Sequence, residues 1–223
     1  MKRMIWVALA VLLVPVVVGA QPVLKFDDPT APGGTVSYDG TLGSPIVGTD
    51  IQFQSILGIG TPNPGVELTC VGCLLNFTTG PVTSEGGPGV APWVAGPGGT
   101  ISIVGAIPAL GIPAGTTLLS GTFSGTPLEV IGAGLNFGLF AGAGDDVKNE
   151  ELATFYGLPA DFTFANTAIT ADIIHNPITA AFSGTVVNAD LNNTSTVVVP
   201  YPFTLLLVGA GLLGVGLLRR RVA

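Results

Sequence analysis

Between Gln21 and about Val199, glycine, proline, asparagine and aspartate cut the chain into short runs of apolar and β-branched residues. That punctuation suits turns and short strands. The runs include TVSYDG, DIQFQSI, VELTC, LLNFTTG, TISIVG, TTLLSGTFSG, LNFGLF, DFTFANTAIT and ITAAFSGTVVNADL. Several alternate with a period near two. In DIQFQSI and the residue after it, Ile51, Phe53, Ser55 and Leu57 fall on one face and Gln52 and Gln54 on the other, the pattern of a strand buried on one side only. With 33 Gly and 18 Pro against 9% charged residues, long solvent-exposed helices are disfavoured. The expectation is an all-β domain, an antiparallel β-sandwich or jelly-roll-like body over residues 21–196, with about nine strands.

One segment reads differently. In GDDVKNEELATFYGLP, Leu152, Phe155 and Tyr156 recur at helical spacing, Asn149 is placed to cap the N-terminus, and Gly157 and Pro159 close the C-terminus. This predicts one short helix beside the sheets. The stretch Glu85 to Thr100 is half glycine and proline and reads as a long loop around Trp93. That tryptophan either covers the end of the core, the commoner use, or is exposed to stack on a sugar ring.

The chain begins MKRMIWVALAVLLVPVVVGAQP. Lys2 and Arg3 precede an apolar run from Ile5 to Val18, and small residues lead to Ala20 and Gln21, which is the three-part layout of a secretory signal peptide cut between those two residues. The run is too short to cross a hydrocarbon core of roughly 30 Å. Residues 1–20 are therefore expected to direct export, into a compartment that permits disulfides. Inside the body all fourteen acidic residues face only Lys25 and Lys148, a net charge of −12 with His175 neutral. A surface of that sign repels a phosphate backbone, so no nucleic acid partner is expected.

The candidate chemistry is sparse. Cys70 and Cys73 form the only cysteine pair, and zinc would need more ligands than these two and the lone His175. Leu74 follows Cys73 where haem attachment needs histidine, and β-type sequence on both sides lacks the helix N-terminus of a thioredoxin-like centre. A structural disulfide pinning a Val71-Gly72 hairpin turn is the expectation. His175 precedes Asn-Pro, where a solvated turn residue is expected, and no G-x-S-x-G elbow occurs, so serine hydrolysis is not supported. Asp145, Asp146, Glu150 and Glu151 are the densest charge of the body. They read either as oxygen ligands for Ca²⁺ on a loop leading into the helix or as acids that favour a helix N-terminus, with the second reading preferred. No cofactor other than this conditional Ca²⁺ is implied, and the chain is not expected to be an enzyme. The sequons at Asn76, Asn192 and Asn193 matter only in a host that glycosylates them.

The last segment, residues 197–223, has its own logic. Val199, Pro200, Tyr201 and Pro202 precede the run FTLLLVGAGLLGVGLL, and Arg219, Arg220 and Arg221 follow it. The run of 16 uncharged residues would be about 24 Å long as a helix. The arginines would hold the C-terminus in the cytoplasm, with the exported body on the other side. Ala210 and Gly214 are spaced as in helix-packing motifs.

This layout resembles the PEP-CTERM sorting signal of Gram-negative exosortase systems. It departs from that pattern at Tyr201, where an acidic residue is usual between the two prolines. The resemblance implies that an exosortase-like membrane enzyme reads the proline motif and removes the tail, often in bacteria that make exopolysaccharide or biofilm. The tail would hold the chain in the inner membrane until then. The chain is accordingly expected to be an exported surface or extracellular-matrix protein, structural or adhesive, with exopolysaccharide as a conceivable partner. The alternative is a carbohydrate-binding or carbohydrate-active domain that uses the acids and Trp93.

Overall fold

The computed structural model describes residues 22–28, 33–86, 92–123, 128–133, 136–141, 144–159, 161–164, 167–172, 174–175, 180–186 and 189–194. Residues Gln21–Val197 form one compact unit. Its strands are β1 (Val23–Asp28), β2 (Thr35–Tyr38), β3 (Pro45–Ile59), β4 (Glu67–Ser84), β5 (Trp93–Ala95), β6 (Gly99–Ile107), β7 (Ile112–Phe123), β8 (Leu128–Ala133), β9 (Asn136–Ala141) and β10 (Gly144–Lys148). After the helix α1 (Glu150–Tyr156) come β11 (Asp161–Phe164), β12 (Thr167–Asp172), β13 (Ile174–His175), β14 (Phe182–Thr185) and β15 (Ala189–Thr194). The fold is all-β, and every strand pair among the described residues is antiparallel.

Two long strands organise it. From one edge the order runs β11, β10, β7, β6, β4, β3, and there the sheet forks. The first half of β3 pairs with β2, which leads to β14 and β13. Its second half pairs with β1, which leads to β15. The far end of β4 leaves the main ladder to pair with β5, which continues through β8 and β9 to β12. A curled antiparallel sheet results. Its core takes Leu24 and Phe26 from β1, Ile46, Phe53 and Ile56 from β3, Leu75 from β4, and Trp93 from β5.

Bulges make the curl possible, because an extra residue bends a strand and shifts which side chains point inward. In β3, one extra residue lies between Gly48 and Ile51 relative to Leu75 and Phe77 of β4. Asp50 takes it up at φ +52°, and its N–H donates to Asn76 Oδ1 at 3.0 Å. A second irregularity lies between Phe53 and Ser55, opposite Thr69 to Cys73. The face shared by Ile51 and Phe53 therefore does not continue to Ser55 and Leu57 as expected. Ile56 is buried instead, and Ser55 and Leu57 are half-buried.

The helix forms as expected, over seven residues. Asn149 Oδ1 accepts from the Leu152 N–H at 3.1 Å, and Gly157 closes the C-terminus at φ +64°. Leu152 and Tyr156 are fully buried, and the Tyr156 hydroxyl reaches the carbonyls of Ile56 and Val66 at 2.9 Å each. This ties α1 to the connection between β3 and β4. Burial of the ring pushes the Tyr156 pKa up to about 12.

Two expectations about local structure are corrected. Val71-Gly72 is not a hairpin turn, because β4 runs unbroken through it. The stretch 85–100 is not loop throughout: Trp93, Val94 and Ala95 form β5 between β4 and β8, and β6 begins at Gly99. Glycine and proline flank this short strand and do not interrupt it, which is why a ladder survives there.

Candidate functional site

The strand β10 reverses the usual alternation. Asp146 and Lys148 point inward and Val147 points outward, 55% exposed. A one-residue slip would bury the valine and free both charges, so the observed register is costly unless the charges are paired. They are. Lys148 Nζ donates to Asp146 Oδ1, and both side chains are completely removed from solvent. The other carboxylate oxygen, Asp146 Oδ2, accepts from Asn193 Nδ2 of β15, which is also buried.

Local sequence makes room for this centre. Gly121 of β7 lies opposite Asp146, and a Cβ there would stand 2.7 Å from the Asp146 Cβ. Leu119 is the register partner of Lys148, Leu24 is that of Asn193, and both leucines are fully buried. The polar trio thus sits on core-facing positions among aliphatic neighbours. Strands β10 and β15 lie on opposite sides of β7, β6, β4, β3 and β1 in the sheet order, so the Asp146–Asn193 bond spans the inside of the curl. Burial pulls the Lys148 pKa down to about 8, opposed by the Asp146 charge. Burial likewise raises the Asp146 pKa, opposed by Lys148 and by the Asn193 hydrogen bond. Both shifts favour the uncharged forms.

Read locally, this segment is a loop entering a helix, and that reading hides the centre. A signal was present. The body has only two lysines, and each stands two residues from an aspartate, Lys25 from Asp27 and Asp146 from Lys148. On a strand, that spacing puts both members of a pair on one face.

The four acids considered for calcium do not converge. Asp145 points away from Asp146 on the opposite face of β10, while Glu150 and Glu151 are exposed in the first turn of α1. Both Asp146 oxygens are already engaged by Lys148 and Asn193. Among the described residues no group of three or more His, Cys, Asp or Glu is gathered for a metal ion.

Cys70 and Cys73 are joined by a disulfide with a Cα–Cα separation of 5.7 Å. Both are buried, while Val71 between them is exposed and Gly72 has φ +59°. The bond closes a bulge inside β4, where Thr69 to Cys73 face only Phe53 to Ser55 of β3. Gly105 of β6 is needed beneath it, since a Cβ there would come within 2.2 Å of the Cys73 sulfur.

Trp93 is fully buried and packs edge-on against Phe182 of β14, with ring centroids 5.1 Å apart. It is a core residue and offers no exposed face for stacking on a sugar. His175 lies in the short strand β13 opposite Phe182, not in a turn. Asn76, in the first sequon, is half-buried and holds the Asp50 bulge through its side chain.

On the outer face of the sheet, Lys25 of β1 bridges Asp27 at 2.6 Å and Asp190 of β15 at 3.0 Å. Those aspartates are direct register partners, so Lys25 screens two facing negative charges. The cleavage residues Ala20 and Gln21, the motif Val199, Pro200, Tyr201 and Pro202, and the arginines Arg219, Arg220 and Arg221 lie outside the described residues. Among the described residues no helix is long and apolar enough to cross a membrane. Comparison with protein-family models, with curated proteins and with solved structures returned no match.

Proposed function

We propose that this chain is an exported, non-enzymatic surface or matrix protein, carried out by residues 1–20 and sorted through the tail at 197–223. The observation that carries the reading is the order of the C-terminal segment: a double-proline motif, an uncharged run, then Arg219, Arg220 and Arg221. The body agrees in character, with a disulfide suited to an oxidising compartment and a charge of the wrong sign for nucleic acid. Burial of Trp93 takes away the aromatic face of the carbohydrate-binding alternative, which then rests on the acids alone.

We further propose that the curled sheet closes as a jelly-roll-like sandwich. Side chains that meet across its interior support this: Asp146 of β10 with Asn193 of β15, and Trp93 of β5 with Phe182 of β14.

The test is to isolate the protein from its own host and sequence both ends. A product that begins at Gln21 and ends near Pro200 to Pro202 is expected. Replacing Pro200 and Pro202 by alanine should retain the chain in the membrane fraction. A native product that keeps Ala223, or normal release of the double-alanine variant, would count against sorting through this tail.

A further inference from the structure

Three groups with complementary reactivity meet in the buried centre. Lys148 carries an amine, Asn193 a carboxamide, and Asp146 holds both, one on each oxygen of a single carboxylate. None of the three is exposed to water. The Asn193 Oδ1 atom is buried and has no hydrogen-bond partner among the described residues. An ion pair that only stabilised the fold would not require a carboxamide with one end unsatisfied, and such an orphan is costly in a core.

We propose that Lys148 and Asn193 become joined by an intramolecular amide bond between Nζ and Cγ, with Asp146 as the catalytic residue that moves the protons. The uncharged Lys148 amine attacks Asn193 Cγ while the Asp146 carboxyl gives its proton to the carboxamide oxygen. The carboxylate then takes a proton from the attacking nitrogen. As the Cγ–Nδ2 bond breaks, Nδ2 picks up that proton and ammonia leaves, while the hydroxyl proton on the former carboxamide oxygen returns to the Asp146 carboxylate and the carbonyl re-forms. The product is a secondary amide, Asp146 ends as it began, and no electrons are transferred. No co-reactant is needed.

Each requirement of this chemistry has a physical source here. The two carboxamide orientations exchange donor for acceptor at the Asp146 contact, so the unsatisfied Oδ1 is the atom that a protonated carboxyl would engage. Burial favours both the free amine and the protonated acid, the two forms the step consumes. Fixing amine and amide on one carboxylate replaces a bimolecular encounter by a positioned one. Exclusion of water suppresses competing hydrolysis of the carboxamide. The product sets a neutral amide beside a carboxyl that can donate to its oxygen, so no ion pair and no orphan acceptor remain in this centre, and the fold itself favours the product.

The experiment is a peptide map of the full chain, denatured with its disulfide reduced and cut after glutamate. Cleavage separates Lys148, in the segment 130–150, from Asn193, in the segment that begins at Leu152. The two segments should emerge as one branched peptide, lighter by one ammonia than their sum, with fragments placing the junction on Lys148 and Asn193. Intact mass does not suffice, because an N-terminal Gln21 that cyclises also loses ammonia.

Asp146→Ala keeps both reacting residues and should lower the rate of joining by about 10²-fold or more. Trp93 emission checks that this variant is folded. Wild-type protein that is folded yet yields the two segments apart, with Lys148 and Asn193 intact, would overturn the proposal even if every variant failed to fold. Loss of water with the junction on Asp146 would overturn it as well.

Discussion

The two lysines of the body make a controlled comparison. Lys25 and Asp27 on β1, and Asp146 and Lys148 on β10, are both lysine–aspartate pairs two residues apart on a strand. Each gains its third member from β15, Asp190 in one case and Asn193 in the other. One set faces solvent and the other faces the core. Their lysines shift in opposite directions: the hydrogen bond that Lys25 donates to Asp27 leads in raising the Lys25 pKa, whereas burial pulls Lys148 down to about 8. The same motif thus screens charge on the outside and stores reactivity on the inside. Solvent access and the third member, a carboxylate outside and a carboxamide inside, decide which.

The comparison breaks most visibly under truncation. Asp146→Ala strands an amine in the core and should destabilise the fold by at least about 3–5 kcal/mol. Asp27→Ala, which removes the corresponding surface partner, should cost less than about 1 kcal/mol. Chemical denaturation followed by Trp93 emission measures both, since the only other tryptophan, Trp6, lies in the segment expected to be removed. Equal losses would mean that burial does not distinguish the pairs. Replacing Asp146 by leucine and Lys148 by methionine together should recover about 1–4 kcal/mol of what the single truncation loses, because an apolar pair carries no desolvation cost.

A pH series sharpens the contrast in sign. Asn193→Ala keeps Lys148 as an amine paired with Asp146, with no carboxamide to join. Between pH 8 and 10.5 the unfolded form of that variant holds a proton that the folded form has released, so the Lys148 contribution to stability rises with pH. Lys25 behaves in the opposite way, its contribution being lost as pH rises through its raised pKa. The denaturation midpoint of Asn193→Ala should climb from pH 8 to 10, and adding Lys148→Met should abolish the climb. Above pH 10 the raised pKa values of Tyr156 and Tyr38, each about 12, turn the slope downward, because only the unfolded chain ionises there. The smallest effect is expected from salt. Raising ionic strength to 1 M should weaken the Lys25 cluster by a few tenths of a kcal/mol and leave the buried set unmoved. A double-mutant cycle at low and high salt reads this difference.

What was legible in the sequence follows the range of the forces involved. The helix was readable because its caps are local: Asn149 and Gly157 act within their own turn. Most strands were readable from alternation, as in Ile51 and Phe53. Reading failed where the decisive partner is remote. The pair Val71-Gly72 has the composition of a turn, and only the disulfide bulge against Phe53 to Ser55 shows that β4 continues. Asp146 reads as a polar loop residue because the group that justifies its burial, Asn193, is 47 positions away on a strand it never pairs with. No local periodicity encodes a contact made by curling a sheet.

The position of Asn193 has a mechanical consequence. It is the penultimate residue of β15, and the segment 197–223 follows that strand closely in the sequence. Among the described residues the one ladder partner of β15 is β1, a geometry in which tension from the tail would otherwise peel the strand away bond by bond. The tie from Asn193 to β10 stands one residue inside the point where such a pull enters. Were the chain held by that tail, the tie would route the load past the β1 ladder to β10, and the body would resist as a whole and not one rung at a time.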